Sequence, residues 1–363
     1  MNEITEIDDS LLCLLNELTS TPSPSGFEKP VQQIFQKFTE KYVDDCWIDV
    51  NGNFIAHKRG ISDKILMLIA HSDEIGLMVK YIDETGFIRF SKIGGVDVGA
   101  LQGQKVIVYH NGNNVHGVIG RKPIHMKIHT DKENSKPIEI GELWIDVGAS
   151  SKEEAEKIVA VGDIITFEPS FNALSNNLIV CKSADDKVGL LVMAAVLKNL
   201  AQYKTDANLY IVSSVQEEIG LRGAVTATYI IKPDVCVAID LTHATDYPTV
   251  NKNVYGDIKL NSGVVIPIGA NVNGQLQDFL KEVAKKNTIN YQIEALPNNS
   301  GTDASVVQIS RGGVMTGLIN IPCRYMHSPI EVISKSDICS AINLLTEFCK
   351  INIDKFRQDL RSR

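Results

Sequence analysis

The sequence predicts an α/β protein: a mostly parallel sheet flanked by helices, with a small β domain set into it. Three observations carry this. Short apolar runs at 65–70 and 235–239 and a strand-like stretch at 209–215 have the texture of strands buried in a central sheet, and stretches with helical spacing alternate with them. Between 76 and 168 the pattern changes to short strands and turns. The chain has 363 residues, more than a single core usually organises.

Taken in order, Leu11, Leu12, Leu14, Leu15 and Leu18 form a helical stripe that stops at the breaker cluster Thr19-Ser20-Thr21-Pro22-Ser23-Pro24-Ser25-Gly26. Val31, Ile34, Phe35, Phe38 and Tyr42 repeat at helical spacing, and Asn51-Gly52 between two apolar segments marks a hairpin. The buried run at 65–70 then delivers His71-Ser72-Asp73-Glu74 at its carboxyl end. In the β block, strands are expected at 87–90, 106–109, 115–119, 143–147 and 163–167, with Asn111-Gly112 as a second hairpin and a short helix at 151–159; a small barrel or sandwich fits them. Beyond it, helices are expected at 188–200, 275–284 and 338–356. The domain division that follows is 1–75 with 169–363, and 76–168 as the insertion.

Composition narrows the function. A hydrophobic share of 44% and a charged share of 22% are those of a globular protein, not of a disordered chain or a fibre. A net charge of −8 lacks the basic footprint that phosphate backbones require, so no nucleic-acid partner is expected. The seven cysteines include no Cys-x-x-Cys pair and read as thiols of a reducing compartment. The acidic start Met1-Asn2-Glu3-Ile4 is unlike a signal peptide, and the longest apolar run, 188–197, is too short for a membrane span. The expectation is a soluble cytoplasmic protein without a membrane partner.

Five segments place carboxylates or imidazoles at expected strand ends or in loops: His71-Ser72-Asp73-Glu74, Ala184-Asp185-Asp186-Lys187, Gln216-Glu217-Glu218-Ile219-Gly220, Ile239-Asp240-Leu241 and Tyr325-Met326-His327-Ser328. Ligands of open α/β sheets bind at the carboxyl ends of strands. Carboxylates there are costly to desolvate, so they are paired or hold a metal. Two imidazoles and several carboxylates without a cysteine are the donor set of hydrolytic sites with two divalent ions. Such a site also needs a carboxylate that is not a ligand, to act as base, and the pair Glu217-Glu218 can supply one base and one ligand. Each segment also has a plain structural reading. Asp185-Asp186 suits a helix N-terminus, Glu217-Glu218 a solvated turn, and His57, His110, His116, His125, His129 and His243 structural or exposed histidines.

In this order, the segments resemble the TET-type metallo-aminopeptidases, a family that includes the deblocking, glutamyl and lysyl aminopeptidases and the proteins called cellulase M. The resemblance spans nearly the whole chain, from Ser23-Pro24-Ser25-Gly26-Phe27-Glu28 through Ala70-His71-Ser72-Asp73-Glu74 and Asp185-Asp186-Lys187-Val188-Gly189. It continues through Gln216-Glu217-Glu218-Ile219-Gly220, Gly301-Thr302-Asp303-Ala304 and Pro322-Cys323-Arg324-Tyr325-Met326-His327. It implies a zinc-exopeptidase-like catalytic domain with an inserted PDZ-like domain. Two divalent ions, zinc or cobalt with manganese as an option, would be held by His71 and Asp240 on one side and by Glu218 and His327 on the other, with Asp185 between them. It also implies Glu217 as general base, Asp73 as the acid that orients His71, peptides as substrates, and a homo-oligomer, the tetrahedral dodecamer. Lys187 stands where the family usually has Arg, Ala184 where a larger apolar residue is common, and Ser300 where Gly is frequent. A deacylase or carboxypeptidase of the same superfamily and a non-catalytic assembly protein are the competing readings.

Overall fold

The computed structural model describes residues 6–126 and 137–354, so His129 lies outside the described residues. Four strands form the parallel centre of an 11-stranded sheet: Asn208–Ser214, Ile65–His71, Val235–His243 and Met315–Arg324, side by side in that order. Their composition explains the position. In the strand Ile65–His71, Leu66, Leu68 and Ala70 pack into the core on one face, while Met67 and Ile69 pack into a second core on the other. Val235, Val237 and Ile239 alternate in the same way with Cys236 and Ala238.

Parallel pairing holds at this centre and between the strands Val264–Gly269 and Tyr291–Leu296. The flanks are antiparallel: the hairpin Asp45–Ile48 and Phe54–Lys58 on one side, Glu331–Ser334, Leu178–Cys181 and Phe171–Ala173 on the other. The sheet is therefore mixed, because hairpins add their strands in reverse. The helix Ala184–Asn199 is apolar on every side from Val188 to Leu197 and is buried from Ala184 to Leu197. It lies against the strand Ile65–His71 and is flanked by the helices Asp9–Ser20 and Lys335–Phe348. Gly189 permits the approach, since a Cβ there would stand 2.8 Å from that of Ala70.

The strands Gly76–Ile82, Ile88–Ile93, Lys105–His110, Asn113–Arg121, Leu143–Asp146 and Ile164–Phe167 close into a barrel around an apolar core of their own, including Leu77, Ile88, Val108, Ile145 and Ile165. Asn111 and Gly112, at φ 48° and 82°, form the tight turn between two of its strands. The helix expected at 151–159 is shorter, Lys152–Ala155.

The last helix is corrected. The sequence predicts it over 338–356, but it spans Lys335–Phe348. Its start is set by the Ser334 hydroxyl, which accepts the N–H groups of Ser336 and Asp337. Beyond its end the Asn352 side chain accepts the Asp354 N–H at 2.9 Å, a local turn that competes with helical bonding. Positions 355 and 356 lie outside the described residues. No described helix is long and apolar enough to cross a membrane.

Candidate active site

The carboxyl ends of the central strands converge on one cluster. His71 ends its strand opposite Ser214, whose strand leads into the Glu217-Glu218 loop. Asp240 sits in the strand Val235–His243, in register with Asn320. Asp185 enters from the start of the buried helix. There Asp185 and Asp186 depart from helical geometry and divide the work: Asp186 Oδ1 accepts the Gly189 N–H at 3.0 Å in the first turn, while Asp185 faces the histidines.

His71 Nε2 lies 3.1 Å from Asp185 Oδ1 and 4.0 Å from Glu217 Oε2. Its Nδ1 lies 3.0 Å from the Asp73 carbonyl oxygen and 3.5 Å from the Asp73 carboxylate. His327 Nε2 is 3.4 Å from both Asp185 Oδ2 and Glu218 Oε1. Two sets of donors emerge, His71 with Asp185 and Asp240, and Asp185 with Glu218 and His327; within each set the donor atoms lie within 4.8 Å of one another. The seven residues singled out from the sequence thus gather in one place.

Buried carboxylates hold them there: Asp73 and Glu74 belong to a segment that the sequence singles out, whereas Glu331 does not. Asp73, fully buried, accepts the N–H groups of Glu217 and Glu218 and the Ser25 hydroxyl. Glu331, also buried, accepts the N–H of Asp185 at 3.0 Å through one oxygen and that of His327 at 3.0 Å through the other. The one available signal was a lone carboxylate next to the apolar run Val332-Ile333. Glu74 takes the Lys182 ammonium at 2.6 Å, with Lys187 at 3.7 Å; Lys187 is fully buried. Gln216 and His327 hold φ of 56° and 62°, left-handed backbone that a tightly determined surrounding must enforce.

The electrostatics are those of a crowded anionic site. Burial, and after it the charge of Asp185, push the carboxyls of Asp240 and Glu218 up, Glu218 to about 7. Burial likewise raises Glu217, with Asp240, Asp303 and Glu218 adding to it. For His71 burial acts downward, but Glu217, Asp185 and Asp73 outweigh it and raise the imidazole. The hydrogen bond to Asp185 is the main reason His327 rises to about 9. Without a cation this much buried negative charge draws protons, and nitrogen and oxygen donors so placed fit divalent cations.

A cavity of about 540 Å³ opens onto the cluster, and Ser300 lies on its wall. The barrel reaches the site as well: a Cβ on Gly95 would stand 2.7 Å from His327 Nδ1, and one on Gly94 3.2 Å from Glu218. The other described histidines lie apart from the two donor sets: His57 stacks on Tyr210, His110 pairs with Asp163, His116 and His125 are exposed, and His243 is on the cavity wall.

A mixed α/β fold carrying this cluster at its strand ends, matched by a peptidase family model, is that of a peptidase, a hydrolase of peptide bonds. The family model of the M42 glutamyl aminopeptidases matches residues 52–344, and the chain belongs to that family. It is 38% identical over 333 residues to the lysyl aminopeptidase of Pyrococcus furiosus, covering 91% of this chain and 94% of that one. Among solved structures, an aminopeptidase of the archaeon Desulfurococcus kamchatkensis superposes with a TM-score of 0.90 at 39% identity, covering 96% of this chain and 97% of that one. The TET1 peptidase of Pyrococcus horikoshii, described as assembling into a tetrahedron or a large octahedral shell, superposes with a TM-score of 0.83 at 29% identity, covering 93% and 99%.

Proposed function

We propose that this chain is a metal-dependent aminopeptidase that removes N-terminal residues from peptides. The observation that carries the reading is the pair of donor sets sharing Asp185, set in an M42 aminopeptidase chain. Two divalent ions, zinc or cobalt with manganese as an option, would be held by His71 and Asp240, by Glu218 and His327, and by Asp185 between them. When bound, such ions polarise the scissile carbonyl and lower the pKa of water.

Glu217 is the general base. It lines the cavity and stands outside both donor sets, with its carboxylate 4.0 Å from His71. Its environment raises its proton affinity, which suits a group that takes a proton from the attacking water and returns it to the leaving amine. Asp73 orients His71 and anchors the base.

Residues 1–75 and 169–363 form the catalytic domain in this reading, and 76–168 the insertion with a role in assembly. Self-association into a tetrahedral dodecamer is supported by the P. horikoshii relative and by an exposed apolar groove lined by Val50, Tyr229, Ile230 and Ile309. Seven free thiols support a cytoplasmic location.

The test is hydrolysis of aminoacyl-p-nitroanilides by chelator-stripped protein before and after Zn²⁺, Co²⁺ or Mn²⁺ is restored. Activity returning with metal is the expected result. No activity with any metal against every free-amine substrate sinks the reading.

A further inference from the structure

One stretch of the cavity wall lies outside the two donor sets. Thr242 is two residues beyond Asp240 in the same strand, on the same face and roughly 7 Å further along. Glu294, from the strand Tyr291–Leu296, faces it: its Oε1 accepts the Thr242 hydroxyl at 2.8 Å, and its Oε2 lies 3.5 Å from Asn320 Nδ2. Glu294 is half-buried and on the cavity wall. Burial pushes its carboxyl up, two neutral hydrogen bonds oppose this, and no cation among the described residues offsets its charge. Beside it Asn320, only 2% exposed and also on the cavity wall, has an Oδ1 without a hydrogen-bond partner. The Glu294 carboxylate is therefore half-buried on the cavity wall with only neutral partners, which is costly unless a ligand brings a positive charge. Leu241, Leu296 and Met326 supply apolar wall to the same cavity.

We propose that Glu294, held by Thr242 and Asn320, forms the subsite for the substrate's N-terminal side chain and selects a basic one, the ammonium of lysine or the guanidinium of arginine. The assignment rests on the aminopeptidase reading, which places the α-amine and scissile carbonyl at the cluster. A four-carbon stem spans the distance from there to Glu294 and lies along the apolar wall, as long cationic side chains do. An acidic side chain would meet like charge. An aliphatic one would bury Glu294 unpaired, and sites built to bond a polar group reject analogues that lack it.

The experiment compares kcat/KM for L-lysyl- and L-norleucyl-p-nitroanilide, which differ by the ammonium, on the metal-loaded protein and on Glu294→Gln. A lysyl-to-norleucyl ratio above about tenfold in the wild type, falling at least tenfold in the variant, is the expected result, since a good polar contact is worth that much. Glu294→Arg should shift preference to glutamyl substrates. A wild-type ratio at or below one, or a ratio that Glu294→Gln leaves unmoved, overturns the assignment. Hydrolysis of other aminoacyl-p-nitroanilides but of neither of these keeps the aminopeptidase reading and overturns the assignment. If no free-amine substrate is hydrolysed with any metal the aminopeptidase reading fails, and calorimetry with L-lysinamide and L-norleucinamide then judges the subsite alone. Tenfold tighter lysinamide binding, lost in Glu294→Gln, supports it, and equal binding overturns it.

Discussion

Asp73 Oδ1 accepts the backbone N–H of Glu217 at 3.0 Å, so a residue at the end of one central strand holds the loop that follows another. The other oxygen does the same for Glu218 at 3.1 Å, and the same carboxylate lies 3.5 Å from His71 Nδ1. One side chain thus sets the relative positions of an imidazole and two carboxylates. Replacing Asp73 by Asn keeps the volume and one acceptor but puts an NH₂ group against a backbone N–H. Steady-state kinetics should show kcat/KM lower by about 10–100-fold, the usual cost of disturbing the groups that orient metal ligands. An unchanged kcat/KM would show that the loop holds itself.

Glu217→Gln separates a base from a ligand. The amide cannot take a proton, so turnover should fall about 10²–10⁴-fold, the contribution typical of general-base catalysis. Metal content, measured by plasma mass spectrometry on the purified protein, should remain that of the wild type. Metal lost together with activity would make Glu217 a ligand instead.

The buried Glu74 pair carries acid sensitivity. Burial pushes the Glu74 carboxyl up, but the Lys182 and Lys187 ammonium groups outweigh it and hold it at about 2, against 4.5 for a free side chain. The folded pKa is depressed, so the stabilisation is present above about pH 4.5 and lost as pH falls toward 2. It amounts to about 3 kcal/mol in full. Urea midpoints between pH 2.5 and 6 should rise with pH in the wild type. In Glu74→Gln the rise should flatten and the neutral-pH midpoint should drop, because two buried ammonium groups lose their counter-charge. Parallel curves for the two proteins would refute the pairing.

Gly95 tests how closely the barrel meets the site. A methyl group there would stand 2.7 Å from His327 Nδ1, closer than packed atoms tolerate, so the imidazole must shift. Gly95→Ala should cost about tenfold or more in kcat/KM, in line with what small misplacements of catalytic groups cost. Its thermal midpoint should move little, because Gly95 is exposed. Wild-type kinetics would mean that the loop yields instead of the histidine.

Much of the molecule was legible along the chain. Apolar runs mark the central strands at 65–70, 209–215 and 235–239, because a strand covered on both faces needs no alternation, and helical spacing marks the helices 9–20 and 274–286, because burial of one face imposes its period on the residues. The five segments that carry the seven clustered residues could be picked out because titratable groups at strand ends and in loops are conspicuous, and the resemblance to the TET-type aminopeptidases assigned the individual residues their roles. Glu331 and Glu294 could not be selected that way: each is one carboxylate near strand residues, and its importance lies in a partner distant along the chain, the N–H of Asp185 for Glu331 and the hydroxyl of Thr242 for Glu294.

By itself, then, the sequence determined the α/β class, the texture break near residue 76 and the inventory of donors, all of which follow from the local periodicity of burial and from side-chain chemistry. Tertiary structure alone decided that the β block closes into a barrel, that the sheet is parallel only at its centre and in one outlying pair, that the last helix stops at Phe348, and that Asp73 and Glu331 hold the cluster. Those outcomes depend on pairing register and on contacts between distant segments. A periodicity shows which face of an element is buried, but not which neighbour it is buried against.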